Sequence, residues 1–518
     1  MKKFGKALSI TVLAVALGLT GCGKKDDKDS NEAASKTESS VSAKATEAAT
    51  NAVTESTEKN TTEASSEADD KSEKATENTT ENIDQELPSK YDPRPDKASA
   101  IRKQEWGDCW DFGGISTLES YLIKAGLADK DIDLSEEDVM WWANCAGVGG
   151  WTNRRRTDGG YAAMTVGYLI TMGARAEADI PYFGDPGDDD PLNDYFGESG
   201  NQRPEKYDTA PVLYDVTNVI YFEDASPELI KSYIYNYGAI TASYYDDRDG
   251  FNQETAAHFI PKKDDMTAPN HTISVVGWDD DYPAENFKEY DGKKPEKNGA
   301  WLIKNSYGED FGSDGGYIHI SYEDGYLFEN EEYNYMYAVC GARKHDDRKV
   351  YLHDEYGSIV SWEPVEGGNN TYANIFDFGE GERLTEVSFV TWAKDATYEV
   401  YYAPVDGDKP SSDQSTWKSL VSGKVEYDGY KTVMVDNEID VPAGKGAIVL
   451  VLSGEKTAIG TDENKMMMSL PLYNAITDKG TAFYMKDGEF TTAERHQKVD
   501  DLEYTEEVNF CIRAYTVK

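Results

Sequence analysis

Three residues that can act together on a carbonyl stand far apart in this chain, each at the edge of a patterned stretch. Cys109 lies in Gln104-Glu105-Trp106-Gly107-Asp108-Cys109-Trp110-Asp111-Phe112, just ahead of the apolar set Trp110, Phe112, Ile115, Leu118, Tyr121 and Leu122. Spacings of three and four in that set predict a helix with one buried face. A cysteine at a helix start feels unpaired N–H groups and the positive dipole end, which favour thiolate over thiol. Asp108 suits the N-cap, and Glu119 is expected on the exposed side. His271 opens the strand-like run Asn270 to Trp278, and Asn305 closes another from Gly299. A thiolate nucleophile needs an imidazole to take its proton and return it to the leaving amine. That imidazole needs a side-chain carbonyl to hold its tautomer. An isolated cysteine is more often a buried structural thiol; the histidine and asparagine downstream change the reading.

These residues and their surroundings resemble the papain-like cysteine peptidases. The resemblance rests on Gln104 ahead of Cys109-Trp110-Asp111-Phe112, on Asn270-His271, and on the loop Asn305-Ser306-Tyr307-Gly308 to Phe311-Gly312. Asp158-Gly159-Gly160-Tyr161 is similar to the glycine pair with which that family holds the substrate backbone. Leu87-Pro88-Ser89, with Tyr91-Asp92 and Arg94, resembles the start of a mature domain, and the match runs over residues 87–342. The resemblance implies an α+β fold, a papain-like two-lobe domain with one helical and one β-barrel-like lobe. It implies peptide-bond hydrolysis through an acyl-enzyme. Cys109 would be the nucleophile, His271 the general base and then acid, and Asn305 the residue that orients the imidazole. Gln104 would donate to the oxyanion hole beside the Cys109 backbone N–H. Gly159, Gly160, Tyr161, Thr272 and Tyr307 would bind substrate, the glycines allowing an extended peptide to pair with the backbone. No cofactor and no metal ion are implied.

Three features depart from that family. Gln104 precedes Cys109 by five residues where six are usual. Asp108 and Asp111 flank the thiol, and a carboxylate about 7 Å away at an effective dielectric of about 20 opposes a thiolate by roughly 2 kcal/mol. The imidazolium and helix end outweigh that. Tyr307 and Phe311 replace the tryptophans that shield the His–Asn pair. Trp106 stands where relatives often carry a disulfide cysteine, so Cys145, Cys340 and Cys511 are expected as mostly free, buried thiols. His258, in a polar loop, and His319, in a strand, lack the setting of His271 and read as structural.

The elements that would position these groups are also legible. Ser135 and a Glu-rich first turn mark a helix start at Leu134 to Met140, and Ala163 to Met172 predicts another before Gly173. Val212 to Phe222 and Ala239 to Tyr245 read as strands around the helix Pro227 to Tyr237. Asp185 to Tyr207 and Asp279 to Asn298 read as surface loops. These insertions account for the 162 residues from Cys109 to His271 and the 34 from His271 to Asn305. Over residues 343–518, alternating runs at Thr385 to Trp392, Thr397 to Tyr402, Tyr430 to Val435, Gly446 to Leu452, Thr481 to Met485 and Val508 to Tyr515 predict an antiparallel β-sandwich. This segment resembles the lectin-like domain that follows papain-like domains in bacterial surface proteins. A carbohydrate or cell-envelope ligand is therefore a candidate partner, which a fold resemblance alone does not establish.

The first 22 residues read as an address. Met1-Lys2-Lys3 precedes an apolar run, Ala7 to Leu19, shorter than the about 20 residues of a bilayer span. Leu19-Thr20-Gly21-Cys22 resembles a bacterial lipobox, which implies a lipid anchor on Cys22 in a membrane and an outward-facing protein. Residues 23–86 have no aromatic side chain and too little apolar area to fold, so a disordered tether is expected. Its roughly 64 residues would span about 40–50 Å, and no folded inhibitory propeptide is expected within it. With 52 basic and 97 acidic residues the formal charge is −45, which argues against a nucleic-acid partner. The favoured function is a surface-anchored cysteine endopeptidase acting on protein or peptide. The rivals are a catalytically weak papain-like scaffold serving as an adhesin, and a Cys-His hydrolase of cell-wall peptide links.

Overall fold

The helices form where caps and apolar spacing place them. They are α1 (Cys109–Lys124), α2 (Glu136–Ala143), α3 (Ala162–Thr171) and α4 (Pro227–Tyr237). Ser135 Oγ accepts from the Asp138 N–H at 3.1 Å and Ser226 Oγ from the Leu229 N–H at 3.2 Å, each satisfying a donor that the helix itself cannot. Pro227 fills the first position of α4, where a missing N–H loses nothing. α1 departs from expectation twice. Asp108 makes no side-chain cap, because its carboxylate accepts instead from the Tyr182 hydroxyl at 2.7 Å. Glu119 is 2% exposed rather than solvated.

The computed structural model describes residues 86–94, 96–144, 151–152, 158–182, 205–222, 225–263, 268–329, 335–358, 360–365, 367–462, 466–467, 470–471, 480–499 and 502–518. Cys22, Cys145, the expected leader and nearly all of the expected tether fall outside these, as does most of the 185–207 loop. Tyr207, expected on the surface, is fully buried against Trp141 and Ile180.

In the N-terminal half the longer strands are β1 (Tyr214–Phe222), β2 (Ile240–Tyr244), β3 (His271–Asp279), β4 (Ala300–Lys304), β5 (Tyr317–Ser321) and β6 (Met336–Lys344). Their spatial order is β1-β6-β2-β3-β4-β5. Tyr244 of β2 pairs with His271, and Ser274 of β3 pairs with Lys304. The start of β3 and the end of β4 therefore lie side by side. The helical layer, with Trp110, Leu118, Val139, Val166 and Leu169 in its core, covers one side of this sheet.

The C-terminal half is a β-sandwich built from β7 (Gly368–Phe378), β8 (Arg383–Trp392), β9 (Thr397–Asp406), β10 (Asp428–Asp440), β11 (Gly444–Gly454) and β12 (Ile512–Val517), with shorter strands. β9, β11 and β7 form one sheet; β12, β8 and β10 belong to the other. Leu384, Val387, Phe389, Phe376, Leu450 and Ile512 pack between them. No alternating run marks β7 in the sequence, where its asparagines carry a turn signal. Asn374 is fully buried, and its Nδ2 donates to the Phe510 and Ile512 carbonyls at 2.8 and 3.0 Å, so a polar side chain bridges the two sheets.

The two halves share one sheet. β10 pairs with β1, from Asp428 opposite Tyr221 to Lys431 opposite Asn218, and β6 runs through the expected boundary at residue 342. Gly429, at φ +133°, sits where a Cβ would lie 2.1 Å from the Val219 carbonyl oxygen, so only glycine allows that pairing. Arg513, 1% exposed on β12, reaches across to the end of α3. It donates to the Ile170 carbonyl, to Thr171 Oγ1 at 2.8 Å and to Asp354 Oδ2 at 2.9 Å. A cation at a helix C-terminus also complements the dipole. Replacing Arg513 by Met strands the buried Asp354 carboxylate, and a loss of about 3–5 kcal/mol is expected. Thermal or urea unfolding measures it; an unchanged midpoint would show that the pair contributes nothing.

Candidate active site

Cys109, Gly113 and Thr117 occupy one stripe of α1, one turn apart. At Thr117 the stripe meets β3, its Oγ1 lying 3.2 Å from Ser274 Oγ. At Gly113 an added Cβ would meet Thr272 Cγ2 at 3.2 Å and the Ile273 backbone at 3.4 Å. Helix and strand thus run alongside each other, and the stripe brings Cys109 to the level of His271, the first residue of β3. His271 Nε2 is 2.8 Å from Asn305 Oδ1, and both residues are buried. A carbonyl oxygen only accepts, so Nε2 carries the proton in this pair. The Ser306 N–H also donates to Oδ1, at 2.9 Å, which supports the amide orientation. His271 Nδ1 has no hydrogen-bond partner and is the nitrogen left for a thiol. The Tyr307 ring stacks on the imidazole at 4.6 Å and 14°, and Phe311 packs edge-on against Tyr307 at 5.0 Å.

Further contacts hold α1 to this pair. Lys304, the residue before Asn305, is buried beside Glu119 with Nζ–Oε2 at 3.6 Å, and Ser99 Oγ joins both, at 2.6 Å from Lys304 and 2.5 Å from Glu119. The exposure expected for Glu119 is therefore replaced by an ion pair that links helix to strand end. Gly160 is close to α1 as well: a Cβ there would sit 2.4 Å from the Trp110 ring, so its lack of a side chain serves helix packing before any substrate. A Cβ on Gly159 would meet, among the described residues, the Gly107 carbonyl at an ordinary 3.7 Å, and Tyr161 is half-buried at the N-cap of α3. Thr272 is 5% exposed, its hydroxyl 3.0 Å from Ser243 Oγ.

Gln104 braces the shortened loop. Its N–H donates to the Ser306 carbonyl at 2.8 Å and its Oε1 accepts from Ser306 Oγ at 2.6 Å. Its Nε2 donates to the Trp106 carbonyl at 2.7 Å. A primary amide has two hydrogens, so one of them is committed to closing the turn. Tyr182, which no motif flagged, ties down the same loop. Its hydroxyl accepts from the Glu105 N–H at 2.9 Å, donates to Asp108, and its ring packs edge-on against Phe112. Burial, with the Asp108 and Glu136 charges, pushes the Asp111 carboxyl well above the usual range, which weakens its opposition to a thiolate.

Two other histidines have carboxylate partners of their own, and the Tyr244 ring packs against both His258 and His271. His258, expected in a polar loop, is fully buried in a short strand with Asp324 at 3.5 Å, and His319 faces Asp314 at 3.1 Å. Cys340 and Cys511 are free, buried thiols, and burial pushes Cys340 up to about 12. Among the described residues no cluster of three His, Cys, Asp or Glu could hold a metal ion.

Known proteins are similar to this chain over one or both of its domains. The family described as "Papain family cysteine protease" matches residues 87–338, and "Lectin like domain" matches 350–516. The clostridial cysteine protease Cwp84, solved after propeptide cleavage, is 32% identical with a TM-score of 0.69, over 83% of this chain and 99% of that one. The cysteine protease and lectin-like domains of Cwp84, a surface layer associated protein of Clostridium difficile, are 31% identical with a TM-score of 0.69, over 83% and 89%. A viral cathepsin of Heliothis zea nuclear polyhedrosis virus is 27% identical over 236 residues, 45% of this chain. Cysteine proteinase 2 of Entamoeba histolytica is 25% identical over 242 residues, 46% of this chain. The chain spans 52% and 65% of the length of these two relatives. It belongs to the papain family of cysteine proteases, with a lectin-like domain after the protease domain.

Glu177 generates a test of the loop's support. Its Oε1 accepts from the Tyr182 N–H at 2.7 Å, and burial, with the Asp133 and Glu137 charges, raises its carboxyl to about 7. The folded state therefore keeps a proton that the unfolded chain releases near the ordinary carboxylate value. This contribution to stability is full at low pH and is lost as pH rises toward 7. Glu177→Gln retains the acceptor for Tyr182 and removes the titration. It is expected to melt with the parent near pH 4.5 and above it at pH 8; equal melting temperatures at both would exclude the effect.

Proposed function

We propose that this chain is a cysteine endopeptidase that cleaves protein or peptide substrates with Cys109, His271 and Asn305. The Cys109 sulfur attacks the scissile carbonyl and its proton resides on His271 Nδ1. The tetrahedral intermediate collapses to a thioester as that proton passes to the leaving amine, and water, deprotonated by the same nitrogen, releases the acyl group. Asn305 holds Nε2–H throughout. Gln104, through its second amide hydrogen, and the Cys109 N–H stabilise the oxyanion. Gly159, Gly160 and Tyr161 border the substrate. The observation that carries the reading is the buried Nε2–Oδ1 bond of 2.8 Å beneath the stacked Tyr307, with Nδ1 left for Cys109 at the head of its helix stripe.

The reading extends to location. A lipid on Cys22 would hold the enzyme outside a bacterial membrane, with residues 23–86 as tether and the C-terminal domain supporting or targeting it. The lipobox-like Leu19-Thr20-Gly21-Cys22 supports this, as does the surface-layer association of the similar Clostridium difficile protein. Replacing Cys22 by Ser in the full chain is expected to move the protein from the membrane fraction to the soluble one. Retention on the membrane would count against the anchor.

An epoxide thiol trap across pH tests the chemistry on the parent, Cys109→Ala and Gln104→Ala. Rapid labelling of Cys109 alone, persisting to about pH 5, is expected of a thiolate–imidazolium pair. Gln104→Ala is expected to label but to lose about 10²–10³-fold in kcat. Labelling no faster than for an ordinary thiol would retire the enzyme and leave the adhesin scaffold.

A further inference from the structure

One buried carboxylate beside the histidine has no place in the three-residue mechanism. Asp246 follows β2, and its side chain is 5% exposed. Its Oδ2 accepts from the Tyr307 hydroxyl at 2.9 Å, and Tyr307 is the ring that stacks on His271. The neighbour of the histidine grips it too: Asn270 Oδ1 accepts from the Asp246 N–H at 2.7 Å, and Asn270 Nδ2 donates to the Asp246 carbonyl at 3.1 Å. Arg248 lies 3.7 Å from Oδ2 and caps the outer faces of Tyr307 and Phe311 at 4.8 and 4.5 Å. Asp246, Tyr307 and Arg248 thus form a layer against the imidazole, with the negative charge buried and the positive one half-exposed.

We infer that Asp246 is a positioning residue for the peptidase reaction, which fixes the Tyr307 shield and supplies the negative charge that stabilises the imidazolium of His271. This rests on the function proposed above. A shield alone would need only an apolar ring; the hydroxyl of Tyr307 lets the ring anchor a carboxylate as well. The other charged or titratable groups acting on the pair are Arg248, from the following turn, and His258, on the far side of the Tyr244 ring. Burial lowers the His271 imidazole, and Asp246 is the largest influence acting against that, followed by Asn305. Burial also raises Asp246, but His271, Arg248, His258 and the Tyr307 hydroxyl together hold its carboxyl below the usual range. It therefore stays ionised wherever the enzyme would work.

The sign of its effect is testable. Asp246→Asn keeps an acceptor for Tyr307 and removes the charge, so a purely structural role predicts no change in titration. The charge role predicts that the basic limb of kcat/KM, where the imidazolium is lost, moves to lower pH by about one unit. Activity well above that limb then falls about tenfold. Arg248→Gln, at a half-exposed site, is expected to move the limb the opposite way and carries the test if Asp246→Asn does not fold. The same shifts are read without activity by NMR titration of His271 in a Cys109→Ala background. An unmoved His271 titration in both variants would overturn the inference. Absence of Cys109-dependent hydrolysis in the parent would refute the peptidase reading, while the NMR result would still judge Asp246.

Discussion

The site depends on how closely α1 can lie on β3. A helix seats against a strand only as tightly as its facing side chains allow, and here the facing residue one turn after Cys109 is Gly113. Its missing Cβ lets Thr272 and Ile273 approach, while Thr117 meets Ser274 through hydroxyl groups rather than bulk. Cys109 and His271 are the first residues of two adjoining elements, so their relative placement is a property of element packing rather than of loop conformation. The Lys304–Glu119 pair adds the end of β4, and with it Asn305, to the same rigid unit. A buried pair of this kind is weak evidence of net stability; its contribution is to register helix against strand.

The C-terminal domain is part of the same mechanical body. A strand of the sandwich completes the edge of the protease sheet, Gly429 permits the close pairing, and Arg513 donates to the Ile170 carbonyl and the Thr171 hydroxyl at the end of α3. α3 begins beside Gly160, which packs on Trp110, the residue after Cys109. The sandwich thus holds the end of α3 in the helical lobe.

Much of this was readable from local pattern. Cys109, His271 and Asn305 each mark the edge of an element, and edges leave signals: a periodicity begins or a strand run ends. α4 is bounded at Pro227 and Tyr237 as its Ser-Pro start and Gly238 end imply. The sandwich strands fall where the alternating runs lie, because a period of two survives any choice of neighbour. β7 escaped because its asparagines carry a turn signal, which at Asn374 burial overrides, its Nδ2 donating to carbonyls of distant strands.

Residues whose meaning depends on a partner far along the chain left no such trace. Glu119 has the type and place of a solvated helix residue until Lys304, across the fold, makes it an ion-pair member. Asp246 stands in the charged run Asp246-Asp247-Arg248-Asp249, which looks like a surface turn; only Tyr307 and Asn270, folded over it, bury the carboxylate beside an imidazole. Tyr182 is a lone aromatic until Asp108 and Glu105 meet it. Helical and strand period, caps and turn chemistry are short-range and are written in consecutive residues. Which charges lose their water, and which partners they then find, is settled by the packing of elements tens to hundreds of residues apart.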